Sequence, residues 1–110
     1  MVQFRLRPAG DRGVTVRWPV AQLPYLTQWK NTAAETTGYV TGIEPGTGFP
    51  HNRSYERKYG RVPKLGAGQS RTFELNFAIL ANAGEVKAAA AAVKKLQGNE
   101  GPEIQKNPEE

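Results

Sequence analysis

Glu44 closes a short alternating run, Tyr39-Val-Thr-Gly-Ile-Glu44, and opens a Pro/Gly-rich loop, Pro45-Gly-Thr-Gly-Phe-Pro50. A carboxylate at the mouth of a strand, with an irregular loop behind it, is placed to move a proton or to grip a polar ligand. The chain holds no cysteine and one histidine, His51. Disulfides, thiolate metal sites and a cysteine nucleophile are therefore excluded. Five other residues have ligand-binding chemistry: Gln28, Trp29, Lys30, Asn52 and Arg53. An indole can stack on an apolar face of a ligand. An ammonium or guanidinium can hold hydroxyls, a carboxylate or a phosphate, and a side-chain amide can read hydroxyls in both directions. The bland alternatives are core for a strand Trp, solvated charge for Lys30 and Arg53, and simple exposure for His51. No metal-ligand spacing, phosphate-cradling glycine motif or Ser/His/Asp set is present, so no metal and no cofactor is expected.

The elements that must position these residues follow from periodicity. Residues 2–7 alternate, with Val2, Phe4 and Leu6 on one face. Residues 8–13 are turn chemistry, and Val14, Val16, Trp18 and Val20 share a face of a second run. The pair predicts an antiparallel hairpin that frays near Pro19. A third strand is expected over Leu23–Lys30, with Tyr25, Thr27 and Trp29 opposite in face to Leu26, Gln28 and Lys30. A fourth is expected over Tyr39–Glu44. Residues 45–69 show no period, and a stretch of that length without structure in a compact domain is often functional. The clearest strand is Arg71–Leu80, with Phe73, Leu75, Phe77 and Ile79 predicted to face inward.

Over residues 83–97 the period becomes helical, with Val86, Ala89, Ala90, Val93 and Leu96 on one face. Asn82 and Glu85 form a capping pair, Lys94 and Lys95 suit the C-terminal dipole, and Gly98 supplies the stop. This helix is expected to lie against a sheet edge, and residues 98–110 to form a disordered acidic tail. Five mainly antiparallel strands and one helix make a single domain over residues 1–97.

At 110 residues and net charge +5, one modest core is the limit. The positive charge invites a nucleic-acid reading, but Arg53, Arg57, Lys58, Arg61, Lys64 and Arg71 are spread along an irregular segment. Nucleic-acid binders place such residues on one helix face or between aromatics on a sheet. A solvated basic loop is expected, with a basic nucleic-acid-binding domain as the weaker alternative. No apolar run approaches a membrane span, and the N-terminus alternates at once without a signal core, so a cytoplasmic protein is expected.

Three stretches carry a family likeness: Leu23-Pro-Tyr-Leu-Thr-Gln-Trp-Lys30, Gly38-Tyr-Val-Thr-Gly-Ile-Glu-Pro-Gly-Thr-Gly-Phe-Pro50 and Gly60-Arg-Val-Pro-Lys-Leu-Gly-Ala-Gly-Gln-Ser-Arg-Thr-Phe73. Together they resemble the C-terminal part of aldose 1-epimerase-like proteins of the galactose mutarotase superfamily, and most closely the branch first catalogued as a domain of unknown function. The likeness covers roughly residues 2–97. It implies an all-β architecture, the C-terminal portion of a β-sandwich much longer than this chain. It also implies interconversion of sugar anomers, with Glu44 as the general base at the anomeric hydroxyl. In the resembled enzymes a histidine from earlier in the chain protonates the ring oxygen. His51 lies instead where those enzymes carry an acid, and the best-known of them follow the Glu with Thr-Gln, where Pro45 stands here. The resemblance thus implies a partial chain, inactive alone, that self-associates or docks with a missing N-terminal half. The alternative is a non-catalytic sugar-binding module.

Overall fold

The computed structural model describes residues 2–5 and 10–105, and for 2–5 the backbone alone. Leu6 and Arg7 of the first expected strand, part of the turn after it, and the last five residues of the tail lie outside the described residues. The chain divides into two compact units, one of residues 1–17 with 77–110 and one of residues 18–76.

In the first unit, β1 (Val2–Arg5) pairs antiparallel with β2 (Gly13–Arg17), with Phe4 opposite Val14 and Val2 opposite Val16. This is the expected hairpin. A third strand, β5 (Asn76–Leu80), completes the sheet order β1-β2-β5. Thr15 and Val16, on opposite faces of the central strand β2, are both buried. The long helix α2 (Ala83–Gln97) packs by β1, an end strand of this sheet, as its small alanine face allows. Its bounds match the sequence pattern because both ends are chemically marked. Asn82 Oδ1 accepts from the Glu85 N–H at 2.9 Å, and Glu85 Oε2 accepts from the Ala81 N–H at 2.7 Å. At the other end Gly98 takes φ 66° and returns its N–H to the Lys94 carbonyl. Val86 is the buried anchor of the helix, whereas Leu96 is 71% exposed, outside the apolar face expected of it.

Two features of β5 correct the sequence reading. The strand begins at Asn76, not Arg71, and two contacts to Gln22 hold the residues before it: Gln22 Oε1 accepts the Glu74 N–H at 2.7 Å, and the Gln22 carbonyl accepts from the Arg71 side chain, Nη2, at 3.3 Å. The apolar face also points the other way. Phe77 is 70% and Ile79 83% exposed, Phe73 and Leu75 are partly exposed, and the buried residue is Leu80. Alternation defines two faces without saying which one is covered.

The second unit is built on a separate two-stranded antiparallel sheet, β3 (Tyr25–Lys30) with β4 (Thr41–Gly46). The third expected strand thus starts two residues late. Pro24 cannot donate to a ladder, and Leu23 instead ends a turn in which its N–H and that of Gln22 return to the Pro19 carbonyl. Trp18 and Leu23 form a small core there, tied by Trp18 Nε1 donating to the Leu23 carbonyl at 2.9 Å. The fourth strand, expected from Tyr39, also starts two residues late, at Thr41. It runs on through Pro45, which pairs with Leu26, to Gly46 opposite Tyr25. A proline is tolerated on a strand with a single neighbour. Between β3 and β4 a single 3-10 turn, Glu35–Thr37, occupies the polar connection. After β4 comes an element the periodicity does not signal, the short helix α1 (Arg53–Lys58).

Candidate functional site

The register of β3 with β4 assigns Gln28, Trp29, Lys30 and Glu44 each to a face. Thr27 stands opposite Glu44, Trp29 opposite Gly42 and Tyr25 opposite Gly46. Side chains alternate along a strand, so Tyr25, Thr27, Trp29, Gly42, Glu44 and Gly46 share one face. Gln28 and Lys30 therefore lie on the other face, with Leu26, Thr41, Ile43 and Pro45. The structure brings Trp29 to Glu44 and separates Gln28 and Lys30 from it.

Gly42 makes the meeting of Trp29 and Glu44 close. A Cβ built on Gly42 would sit 3.3 Å from the Trp29 Cβ and would collide with the Glu44 carboxylate. The carboxylate thus folds back over the bare glycine backbone, beside the base of the indole. Trp29 is half exposed, so its ring is free to meet a ligand. Glu44 is exposed, and among the described residues its carboxylate has no hydrogen-bond or ion-pair partner.

The same face leads into the loop. The Phe49 ring packs 4.7 Å from that of Tyr25 at 55°. Above Phe49 lies the guanidinium of Arg61, 5.2 Å from the ring centroid and 4.7 Å from that of Tyr59. Arg61 grips Glu56 with two hydrogen bonds of 2.7 Å, from Nε to Oε2 and from Nη2 to Oε1. Glu56 Oε2 also accepts the Phe49 N–H at 2.9 Å. Glu56 is buried, 4% exposed. The Arg61 hydrogen bonds hold its carboxyl down at about 2, overcoming the opposing effect of burial, and the Phe49 N–H helps. The pairing in turn raises Arg61 above its ordinary value.

This ion pair orders the segment that the sequence presents as structureless. Gly48 passes so near it that a Cβ would lie 2.9 Å from both the Arg61 carbonyl oxygen and Glu56 Oε2. Asn52 caps α1: its Oδ1 accepts from the Tyr55 N–H at 2.9 Å and from Ser54 Oγ at 2.8 Å. The Asn52 side-chain oxygen is therefore engaged in structure. Gly60, at φ 70°, ends the helix turn and donates its N–H to the Arg57 carbonyl.

A cleft of about 570 Å³ opens beside the pair. Thr47, Gly48, His51, Arg53, Glu56 and Arg61 are among its walls. Arg53 thus lies on the cleft, and the exposed His51 stacks 4.6 Å from Tyr55. Among the described residues, no cluster of three or more acids and histidines could hold a metal ion, and no helix is long and apolar enough to cross a membrane.

Sequence reasoning missed Glu56, Arg61 and α1. The available signals were local: an Asn before a run of helix-tolerant residues, a closing Gly60, and one acid within a basic segment. Thr27, directly opposite Glu44, was legible from strand parity once the pairing was given.

No curated protein matches the chain. The chain is similar to a crystal structure from Klebsiella pneumoniae subsp. pneumoniae MGH 78578 described as a "putative aldose 1-epimerase", at 43% identity and a TM-score of 0.77. The match covers 83% of this chain and 24% of that one, so this chain spans about a quarter of its relative's length. Residues 3–79 match the family model described as Domain of unknown function (DUF4432). The chain therefore belongs to the DUF4432 family, with an aldose 1-epimerase-like relative in that structure.

Proposed function

We propose that this chain is the base-bearing, sugar-binding C-terminal portion of an aldose 1-epimerase-like protein with a mutarotase-like β-sandwich, and that Glu44 is its general base. The observation that carries this reading is the placement of Glu44 and Trp29 on one face of the β3–β4 pair, with the bare Gly42 beside both. The likeness to the Klebsiella structure supports it.

The arrangement suits anomer exchange. A sugar ring resting on the exposed Trp29 face would bring its anomeric hydroxyl to the carboxylate beside it. Glu44 takes the proton from that hydroxyl; the electron pair forms the carbonyl as the bond from C1 to the ring oxygen breaks. The ring oxygen takes a proton from a general acid. Rotation about the bond to C1, followed by reversal of these steps, gives the other anomer and returns both protons. General base catalysis contributes roughly 10²–10⁴-fold when the group is within hydrogen-bond reach of the proton. Thr27 is placed to contact a sugar hydroxyl from the same face. Gln28 and Lys30, on the opposite face, would serve such a ligand only from behind the strand pair, and Asn52 only through its amide N–H groups.

The general acid is the missing part. His51, the one histidine, stacks on Tyr55 in the loop. A residue outside this chain is expected to protonate the ring oxygen, so this chain alone should bind sugar without exchanging anomers. The test combines two measurements on the chain. Titration with D-galactose and D-glucose should quench tryptophan fluorescence saturably, and Trp29→Ala should abolish the response while buried Trp18 remains. NMR of the same sugars should show anomer exchange no faster than in buffer. Sugar binding that survives Trp29→Ala unchanged, or no binding at all, sinks the assignment of the face. Accelerated exchange that disappears in Glu44→Gln would keep the base and refute the need for an outside acid.

A further inference from the structure

The cleft beside the Glu56–Arg61 pair has a one-sided supply of hydrogen-bonding groups. Its one carboxylate, Glu56, already accepts three hydrogen bonds, from the Phe49 N–H and from two nitrogens of Arg61. That carboxylate also cancels the charge of Arg61. Arg53 on the same wall remains uncancelled: among the described residues it has no ion-pair partner, and no second acid lines the cleft. Arg61 commits Nε and Nη2 to Glu56, and Nη1 donates to no acceptor among the described residues. The Thr47 hydroxyl and the His51 imidazole add two groups that can donate. Arg61 is also held in place, clamped by Glu56 and lying over Phe49 and Tyr59, so little side-chain freedom is lost when it meets a ligand. A net positive cleft with spare donors and a satisfied carboxylate fits an oxyanion better than a neutral hydroxyl group.

The cleft is joined to the Glu44 face. Thr47, Gly48 and Phe49 follow Glu44 by three to five residues, and Phe49 packs on Tyr25 of that face. We infer that this cleft, with Arg53 and Arg61 as its cations, is a subsite for an oxyanion substituent of the sugar, so that the ligand is an aldose carrying a phosphate or a carboxylate away from its anomeric carbon. The inference rests on the sugar-binding reading of the Glu44–Trp29 face, since it places the second end of the same ligand. Glu56 acts as a positioning residue that fixes the Arg61 fork and the Phe49 backbone.

The test is an amide-resolved NMR titration of this chain at low salt with four probes: inorganic phosphate, galactose, galactose 6-phosphate and galacturonate. Phosphate alone should shift the amides of Gly48, Phe49 and Arg53. One of the two anionic sugars should bind about tenfold tighter than galactose, the size expected for one charge-assisted contact, and which of them does so identifies the group. Arg53→Gln should erase that preference. Arg57→Gln, which removes the same charge from the same short helix outside the cleft, should leave the preference intact. Equal affinity for galactose and both anionic sugars would overturn the inference, as would equal losses in the two arginine variants or phosphate shifts scattered over all basic residues. The two readings fail separately. Phosphate shifts at the cleft without galactose shifts at Trp29 and Gly42 would keep the oxyanion site and refute the sugar face, and the reverse result would refute the oxyanion site alone.

Discussion

Glu56 and Arg61, five residues apart, face each other through two hydrogen bonds of 2.7 Å, and the Phe49 N–H donates to the same carboxylate at 2.9 Å. A turn-and-a-half helix and a glycine-rich loop are thereby fixed to one another immediately after the strand that carries Glu44. An acid-dependent loss of order follows. The Glu56 carboxyl is held at about 2, below the roughly 4.3 of an unfolded glutamate. A depressed folded value means that the stabilisation is fully present above the unfolded value and is lost as the pH falls from about 4 towards 2. The amide shifts of Gly48, Phe49 and Arg61 should move together across that window. In Glu56→Gln this collective transition should be missing, with the loop already disordered at neutral pH. A wild-type loop unchanged down to the bottom of that window would contradict the assignment.

Gly42 should be a residue that affects binding more than stability. Its added methyl in Gly42→Ala would meet the Glu44 carboxylate, the free end of a side chain, which can swing away. It would also crowd the Trp29 Cβ at 3.3 Å. The expected result is a several-fold weaker aldose titration with a stability change under about 1 kcal/mol, since alanine also stiffens the unfolded chain. Gly48→Ala should differ, because its methyl meets the Arg61 backbone at 2.9 Å. Overpacking of this kind costs about 1–3 kcal/mol. Denaturant melts of the two variants provide the comparison, and equal stability losses would refute the distinction.

The start of α2 depends on Asn82. Its side chain accepts from the Glu85 N–H, and Glu85 returns a bond to the Ala81 N–H. Asn82→Ala should lower stability by about 1 kcal/mol, whereas Asn82→Asp should be close to neutral. Chemical denaturation followed by circular dichroism reads both, and an unchanged midpoint in the alanine variant would show that the cap is not stabilising.

Phe77 and Ile79 project from β5 at 70% and 83% exposure. Among the described residues β5 has one strand neighbour, so it also presents an unpaired edge. Exposed apolar strand edges pair with other chains. The isolated chain should therefore associate with a second copy through β5. Light scattering coupled to size exclusion should give a mass above that of the monomer, and the Phe77→Thr, Ile79→Thr double variant should return it to monomer. A monomeric wild type would refute this.

How much of this was legible in the sequence depended on the kind of signal. The β1–β2 hairpin and the bounds of α2 followed from alternation, capping residues and a terminal glycine, all of which act locally. The ends of β3, β4 and β5 did not, because they depend on distant partners such as Gln22, which holds the backbone at Glu74. The inward face of β5 was misjudged because a period defines two faces and burial selects one. Glu44 with Trp29 was readable, and parity along β3 already required that Gln28 and Lys30 point away from Trp29. Glu56 was not readable: a lone acid among arginines reads as surface until the fold brings Phe49 and Arg61 to it.

The central claim, that Glu44 and Trp29 form one sugar-binding face, is tested most directly by mapping an aldose onto the chain with amide-resolved NMR. The predicted result is a saturable shift confined to Thr27, Trp29, Gly42 and Glu44, including the Trp29 indole N–H, and lost in Trp29→Ala. Shifts centred on Gln28 and Lys30, or no shift with any aldose, would contradict it.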